Sequence, residues 1–185
     1  MKAMLIDENK NFVWSDVAEP VVGAHDVCIE IHAAALNRAD LLQRQGKYPS
    51  PKGCPPWMGL EVAGVVRETG AAVTKWRKGD RVCALLGGGG YAEAVAVDEG
   101  MVMPIPGKLT FAEAASLPEA YATCYLNLFR EGGYRPGETL FFPAGASGLA
   151  SVVIPMAKAF GIRVITSVLN GEIAEKIRRL NADLV

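Results

Sequence analysis

The chain has 185 residues, half of them hydrophobic and about a fifth charged, with a formal net charge of −1. That length accommodates one domain, or one domain and part of another, with apolar material for a sizeable core. The near-neutral balance, without any lysine- or arginine-rich run, leaves no electrostatic basis for nucleic acid or an anionic membrane as partner. Four cysteines, Cys28, Cys54, Cys83 and Cys124, lie far apart without a C-x-x-C pair, so neither a disulfide framework nor a zinc knuckle is expected. Together with an N-terminus unlike a signal peptide, this points to the cytoplasm.

Met1 to Trp14 alternates apolar runs with a polar break (KAMLI, DENKN, FVW), which predicts a hairpin. After a turn at Pro20 to Gly23, Asp26 to Ala33 alternates strictly and predicts a half-exposed strand, with Val27, Ile29 and Ile31 on one side. His25 and His32 read as surface histidines, having no carboxylate or cysteine at ligand spacing. Leu36 to Gln45 predicts a short helix stopped at Gly46, with Asp40 as a helix-start carboxylate. KYPSPKGCPPWMG is then a shaped loop carrying Tyr48 and Trp57, two aromatics that either cover a core edge or line a pocket for a flat ligand.

Further strands follow at Leu60 to Glu68 and within Thr74 to Ala84, with a tight turn at Lys78 to Asp80. Gly87 to Gly90 precede an alternating strand, YAEAVAV, instead of a helix. They read as a flexible turn, since no helix N-terminus is there to meet an anion. Short strands at regular spacing to about residue 110 predict a small barrel. From Phe111 the period becomes helical around Pro118, and the domain boundary is expected near residue 115, dividing the chain into 1–115 and 116–185.

Leu140 to Gly161 (LFFPAGASGLASVVIPMAKAFG) predicts a buried strand at Leu140 to Phe142, a turn of small residues, and a helix ending at Gly161. With a second apolar run at Ile162 to Ile165 this makes a βαβ unit, the start of a doubly wound sheet. Such a turn lets a diphosphate approach backbone N–H groups at the positive end of a helix, and Gly145, Ser147 and Gly148 suit it. Small residues there also serve packing alone. The uncharged stretch Thr139 to Ala157 nearly reaches bilayer-spanning length, but its prolines, glycines and polar turn favour a buried strand and helix over a membrane span.

Taken together, AALNRADLLQRQGKYPSP, GLEVAGVV, KGDRVCALL, GGGGYAEAVAV, LPEAYATCYLNLF and AGASGLA resemble, in this order, the NADPH-dependent, zeta-crystallin-like quinone oxidoreductases of the medium-chain dehydrogenase/reductase superfamily. The resemblance implies a mixed fold, with an N-terminal GroES-like β-barrel followed by an α/β Rossmann domain. It implies hydride transfer from NADPH to a quinone or another electron-poor carbonyl compound, the cofactor carrying the chemistry. Asn37 and Tyr48 would line the substrate side as donors to the acceptor's oxygen, where electron density grows. Thr123 would contact the cofactor, and Ala146, Ser147, Gly148 and Leu149 would cradle its diphosphate. Zinc-dependent relatives carry a cysteine where Asn37 stands and a histidine where Leu60 stands. Asparagine and leucine cannot build that Lewis-acid site, so no zinc is expected.

Four departures qualify the resemblance. Ala150 replaces the glycine that ends the usual turn. Pro155, inside the helix, costs roughly 3 kcal/mol unless the helix kinks. Thr166 and Ser167 occupy the end of the second strand, where an NAD enzyme places an acidic residue for the ribose hydroxyls; this favours NADPH, although Glu172 would repel a 2′-phosphate. Finally, relatives continue to nearly twice this length, so the Rossmann domain is expected to be incomplete, with an open sheet edge that promotes homo-oligomers. Two alternatives stand beside quinone reduction: an enone or enal reductase of the same superfamily, and a catalytically silent interaction module.

Overall fold

The computed structural model describes all residues from Met1 to Val185. The chain divides into two compact units, Met1–Glu119 and Ala120–Val185.

In the first unit β1 (Lys2–Ile6) and β2 (Phe12–Asp16) form the expected antiparallel hairpin. A five-stranded antiparallel sheet follows, in the order β6-β3-β4-β5-β7, from β3 (Asp26–Ala34), β4 (Glu61–Thr69), β5 (Arg81–Leu85), β6 (Ala94–Asp98) and β7 (Val102–Pro104). The hairpin prolongs this sheet ahead of β6: Met4 donates to the Tyr91 carbonyl at 2.7 Å and Glu93 to the Lys2 carbonyl at 3.0 Å. The sheet curls around Val27, Ile29, Val62, Val66, Val82, Val95 and Val102, with Trp76 packed against them. Its other face is met by α2 (Phe111–Ala115), whose Ala114 and Ala115 lie on Ala63 and Cys83. Small residues on both sides allow that close approach.

Two expectations need correction here. The first half of β3 is covered on both faces, since Cys28 is as buried as Val27 and Ile29; it sits beside Arg67, which pairs with Glu19 at 2.9 Å. Alternation had suggested one wet face, and only Glu30 and His32 supply it. The Gly87–Gly90 run is not slack either. Gly88, Gly89 and Gly90 are buried, and a Cβ at Gly89 would stand 2.8 Å from Pro55. Gly89, Gly90 and Tyr91 donate to the carbonyls of Trp57, Gly59 and Met58 at 2.9–3.0 Å, and the Trp57 indole donates back to Gly89 at 3.1 Å. The run is stitched onto the proline-rich loop.

In the second unit β8 (Thr139–Phe142) and β9 (Arg163–Thr166) pair in parallel, connected by α4 (Ala150–Ala159). This is the expected βαβ unit. Its core joins Leu140, Val153, Ile154, Ala157, Ile162 and Val164 to Cys124 and Leu128 from the preceding helical segment, α3 (Pro118–Tyr125) and the wider turns of Leu126–Glu131. β8 is buried only at Leu140; Phe141 is 60% exposed, because α4 covers one face of a two-stranded sheet and nothing covers the other. Asn170 caps α5 (Gly171–Arg178), accepting from the Ile173 amide. The chain then returns beside β9, where Leu184 makes an isolated parallel bridge with Ile165. No helix is long and apolar enough to cross a membrane.

Pro155 lies inside α4 on its exposed side. The carbonyl it deprives of a partner is that of Ser151, one turn earlier on the same exposed side of the helix.

Candidate functional site

The strand-to-helix turn of the second unit is built from inside outward. Gly145 donates its amide to the Ser167 carbonyl at 3.1 Å, and a Cβ there would stand 2.5 Å from Thr166 Oγ1. Its smallness therefore serves close packing of the two strand ends. Ser147 Oγ accepts from the Ala150 amide at 3.2 Å, tying the turn to the helix start. The amides of Ala146, Gly148 and Leu149 carry no hydrogen bond within the protein, and nothing lies within 4 Å of a Cβ built on Gly148. Of these, Ala146 lines a hollow of about 250 Å³ bounded across the way by Ser167, Val168 and Leu169, and Gly148 and Leu149 follow it in the chain toward the start of α4. The residues present thus fit a diphosphate: unpaired N–H groups, an open approach and a helix N-terminus behind them.

The other sequence-predicted cofactor residues are placed unevenly. Ser167 lines the hollow while its hydroxyl donates to the Pro143 carbonyl at 2.9 Å. Thr166 is buried behind it and donates to the Phe142 carbonyl, a tie between β9 and β8. Thr123 is half-buried in α3, and its neighbour Cys124 lies 4.0 Å from the Leu149 carbonyl. Glu172 is held at the surface by Lys176, 2.9 Å away, so its charge is offset locally.

In the first unit Asn37 precedes α1 (Arg38–Arg44), where two carboxylates hold it. Its main-chain amide donates to Asp40 Oδ2 at 2.6 Å, and its side-chain Nδ2 donates to Glu61 Oε1 at 2.8 Å. Asp40 Oδ2 also accepts from the Tyr91 hydroxyl at 2.8 Å, while Oδ1 is buried without a partner. Glu61 Oε2 accepts from the Glu119 amide at 2.9 Å. Burial pushes the Glu61 carboxyl above its ordinary range, and its two donors pull the other way. Burial and the neighbouring Asp40 carboxylate also push the Tyr91 hydroxyl up.

Asn37, Asp40 and Tyr91 border a largely apolar cavity of about 800 Å³ whose walls include Phe12, Trp14 and Met58. Tyr48 lines a smaller hollow of about 250 Å³ with Leu60, Gly87 and Met101. The two predicted donors therefore face different hollows, with Glu61 and Glu119 linking their walls. The sequence reading passed over Glu61 and Tyr91 and favoured a helix-start carboxylate for Asp40. The available signal was Glu61 itself, the one charge in the apolar run Leu60 to Val66.

The first unit contains a match, over residues 23–107, to the family model of the alcohol dehydrogenase GroES-like domain. The quinone oxidoreductase-like protein 2 homologue of Nematostella vectensis is 39% identical over 147 residues, covering 78% of this chain and 40% of that protein. The crystal structure of a quinone oxidoreductase from Pseudomonas syringae superposes on 100% of this chain and 57% of its own, at a TM-score of 0.84 and 29% identity. The chain belongs to the quinone oxidoreductase-like branch of the medium-chain dehydrogenase/reductase superfamily. A further relative in this superfamily, the chloroplastic NADPH-dependent alkenal/one oxidoreductase of Arabidopsis thaliana, is 35% identical over 181 residues, or 92% of this chain and 47% of that protein. The chain spans about half the length of the curated relatives it matches. Within the superfamily's fold, the β-rich first unit is the GroES-like part and the βαβ second unit the beginning of the Rossmann part.

Proposed function

We propose that this chain carries the acceptor-binding and diphosphate-binding parts of an NADPH-dependent reductase acting on quinones or similar electron-poor carbonyl compounds. The observation that carries the reading is the turn Ala146–Leu149 before α4, in which the amides of Ala146, Gly148 and Leu149 are unpaired and Ala146 and Ser147 line a hollow closed by Ser167. Those amides would hold the diphosphate, and Ser167 at the end of β9 would face the ribose where an acidic residue would select NAD. NADPH, when bound, supplies the hydride. Asn37 would orient the acceptor and donate to its oxygen as electron density arrives there.

Fluorescence titration with NADPH, with NADH as control, tests the reading. Saturable micromolar binding of NADPH and weaker binding of NADH is expected; binding of neither would remove reduction from this chain and leave an interaction module. A second reading, reduction of the carbon–carbon double bond of enones and enals, is favoured by one fact. The alkenal/one oxidoreductase aligns over 181 residues, against 147 for the quinone oxidoreductase-like relative. NADPH oxidation with a naphthoquinone and with a simple enone, side by side, separates the two. The bare edge of β8 and exposed Phe141 also support self-association; light scattering that finds a monomer at every concentration would refute it.

A further inference from the structure

We propose that Glu61 is a positioning residue for Asn37: its carboxylate fixes which way round the Asn37 amide faces and thereby which donor remains for an acceptor. The proposal rests on the role given to Asn37 above. Glu61 is 3% exposed, at the first position of β4, and both of its oxygens are engaged by donors, Asn37 Nδ2 at 2.8 Å and the Glu119 amide at 2.9 Å. The Glu119 donor is main chain and cannot be turned into an acceptor. Asn37 can: rotating its amide by half a turn exchanges Nδ2 and Oδ1. Only an ionised carboxylate accepts at both ends, so only Glu61 in its charged form demands Nδ2 from Asn37. One amide hydrogen is then committed to Glu61, and the second is the side-chain donor left to Asn37. Asp40 holds the same residue by its main-chain amide at 2.6 Å, so the side chain turns on a fixed backbone.

A glutamine at 61 has the same shape and the opposite logic. Its one carbonyl oxygen goes to the Glu119 amide, and its NH₂ then confronts Asn37 Nδ2. Asn37 answers by presenting Oδ1, so E61Q turns the amide over without removing it. Protonation of Glu61 has the same effect, with the new O–H donating to Asn37 Oδ1. The titratable groups around Glu61 are Asp40 of α1, Glu119 of α3, Cys83 of β5 and Tyr91.

The test is the Asn37 side-chain amide in ¹⁵N–¹H spectra of the full chain, assigned by its loss in N37D, combined with NADPH titration and naphthoquinone reduction. One Asn37 Nδ2 proton is expected downfield and protected from exchange in the wild type, moving as Glu61 ionises. In E61Q that proton loses its shift and its pH dependence. Turnover should then fall about a hundredfold, as on loss of a donor to a developing oxyanion, while the Kd for NADPH is unchanged. The double variant N37D/E61Q, in which position 37 accepts and position 61 donates as in E61Q, keeps the denaturation midpoint of E61Q and its loss of turnover. An Asn37 amide signal that is the same in E61Q as in the wild type overturns the proposal, as does unchanged turnover. Failure of the wild type to oxidise NADPH with any acceptor overturns the functional reading instead, and the amide signal still decides the orientation.

Discussion

A single methyl group distinguishes the two glycines of the strand-to-helix turn. At Gly145 it would stand 2.5 Å from Thr166 Oγ1 and 3.1 Å from the Ser167 carbonyl oxygen, whereas at Gly148 nothing lies within 4 Å. G145A should therefore lose about 1–3 kcal/mol of stability by overpacking, read from the urea midpoint. G148A should stay within about 0.5 kcal/mol of the wild type yet weaken NADPH about tenfold, the usual effect of a group where ligand must sit. A G148A chain that binds NADPH as tightly as the wild type would argue against the cradle. Tyr91 gives a third case. Its hydroxyl is one of two donors on Asp40 Oδ2 in a site where Oδ1 already lacks a partner. Y91F should cost about 1–3 kcal/mol, the penalty of stripping a donor from a buried acceptor.

At the scale of elements, α4 contains a proline where a helix interior ordinarily excludes it. Because Pro155 and Ser151 are both exposed, P155A restores a main-chain bond without disturbing the core, and about 1–3 kcal/mol of added stability is expected. A raised urea midpoint at unchanged slope would check it. The βαβ order was legible in the sequence because its period changes abruptly, from the apolar Leu140–Phe142 through small turn residues to the helix ending at Gly161. Burial within it was not. Whether Phe141 is covered depends on a second layer that local sequence does not describe. The same limit hid Cys28, covered by the Arg67–Glu19 pair from other parts of the chain. In the candidate site, Asn37 could be singled out by its motif, but its partners could not. Glu61 lies 24 positions away in sequence (61 − 37), and Tyr91, which donates to the Asp40 carboxylate that holds Asn37, lies 54 away (91 − 37); only the fold brings them together.

Over the whole molecule the carboxylates divide into two groups by sign. Asp183 is held below its ordinary 3.8 by Lys158 and by the Val164 amide, and Asp16 by Lys2. Glu19, beside Arg67, and Glu113, beside Thr110, lie below their ordinary 4.5. Each stabilises the fold fully above those ordinary values, and that contribution is lost as pH falls through the lowered native one. Glu61 runs the other way: above 4.5 and up to its raised native value the folded state keeps a proton the unfolded chain has released, so its share falls as pH rises. With Asp7, which the Asn11 amide holds below 3.8, five lowered groups against one raised group predict a melting temperature that declines below about pH 4. Thiol titration offers an independent reading of the whole fold. Cys28, Cys83 and Cys124 are buried and only Cys54 is partly accessible, so one thiol of four should react before denaturation. The seam between Trp57–Gly59 and Gly88–Tyr91 bears on time. A run of four glycines would be expected to exchange its amide hydrogens within seconds. Here the amides of Gly89, Gly90 and Tyr91 close onto main-chain carbonyls in a buried setting. They should keep their protons for as long as the neighbouring strands do, opening only when the whole first unit unfolds.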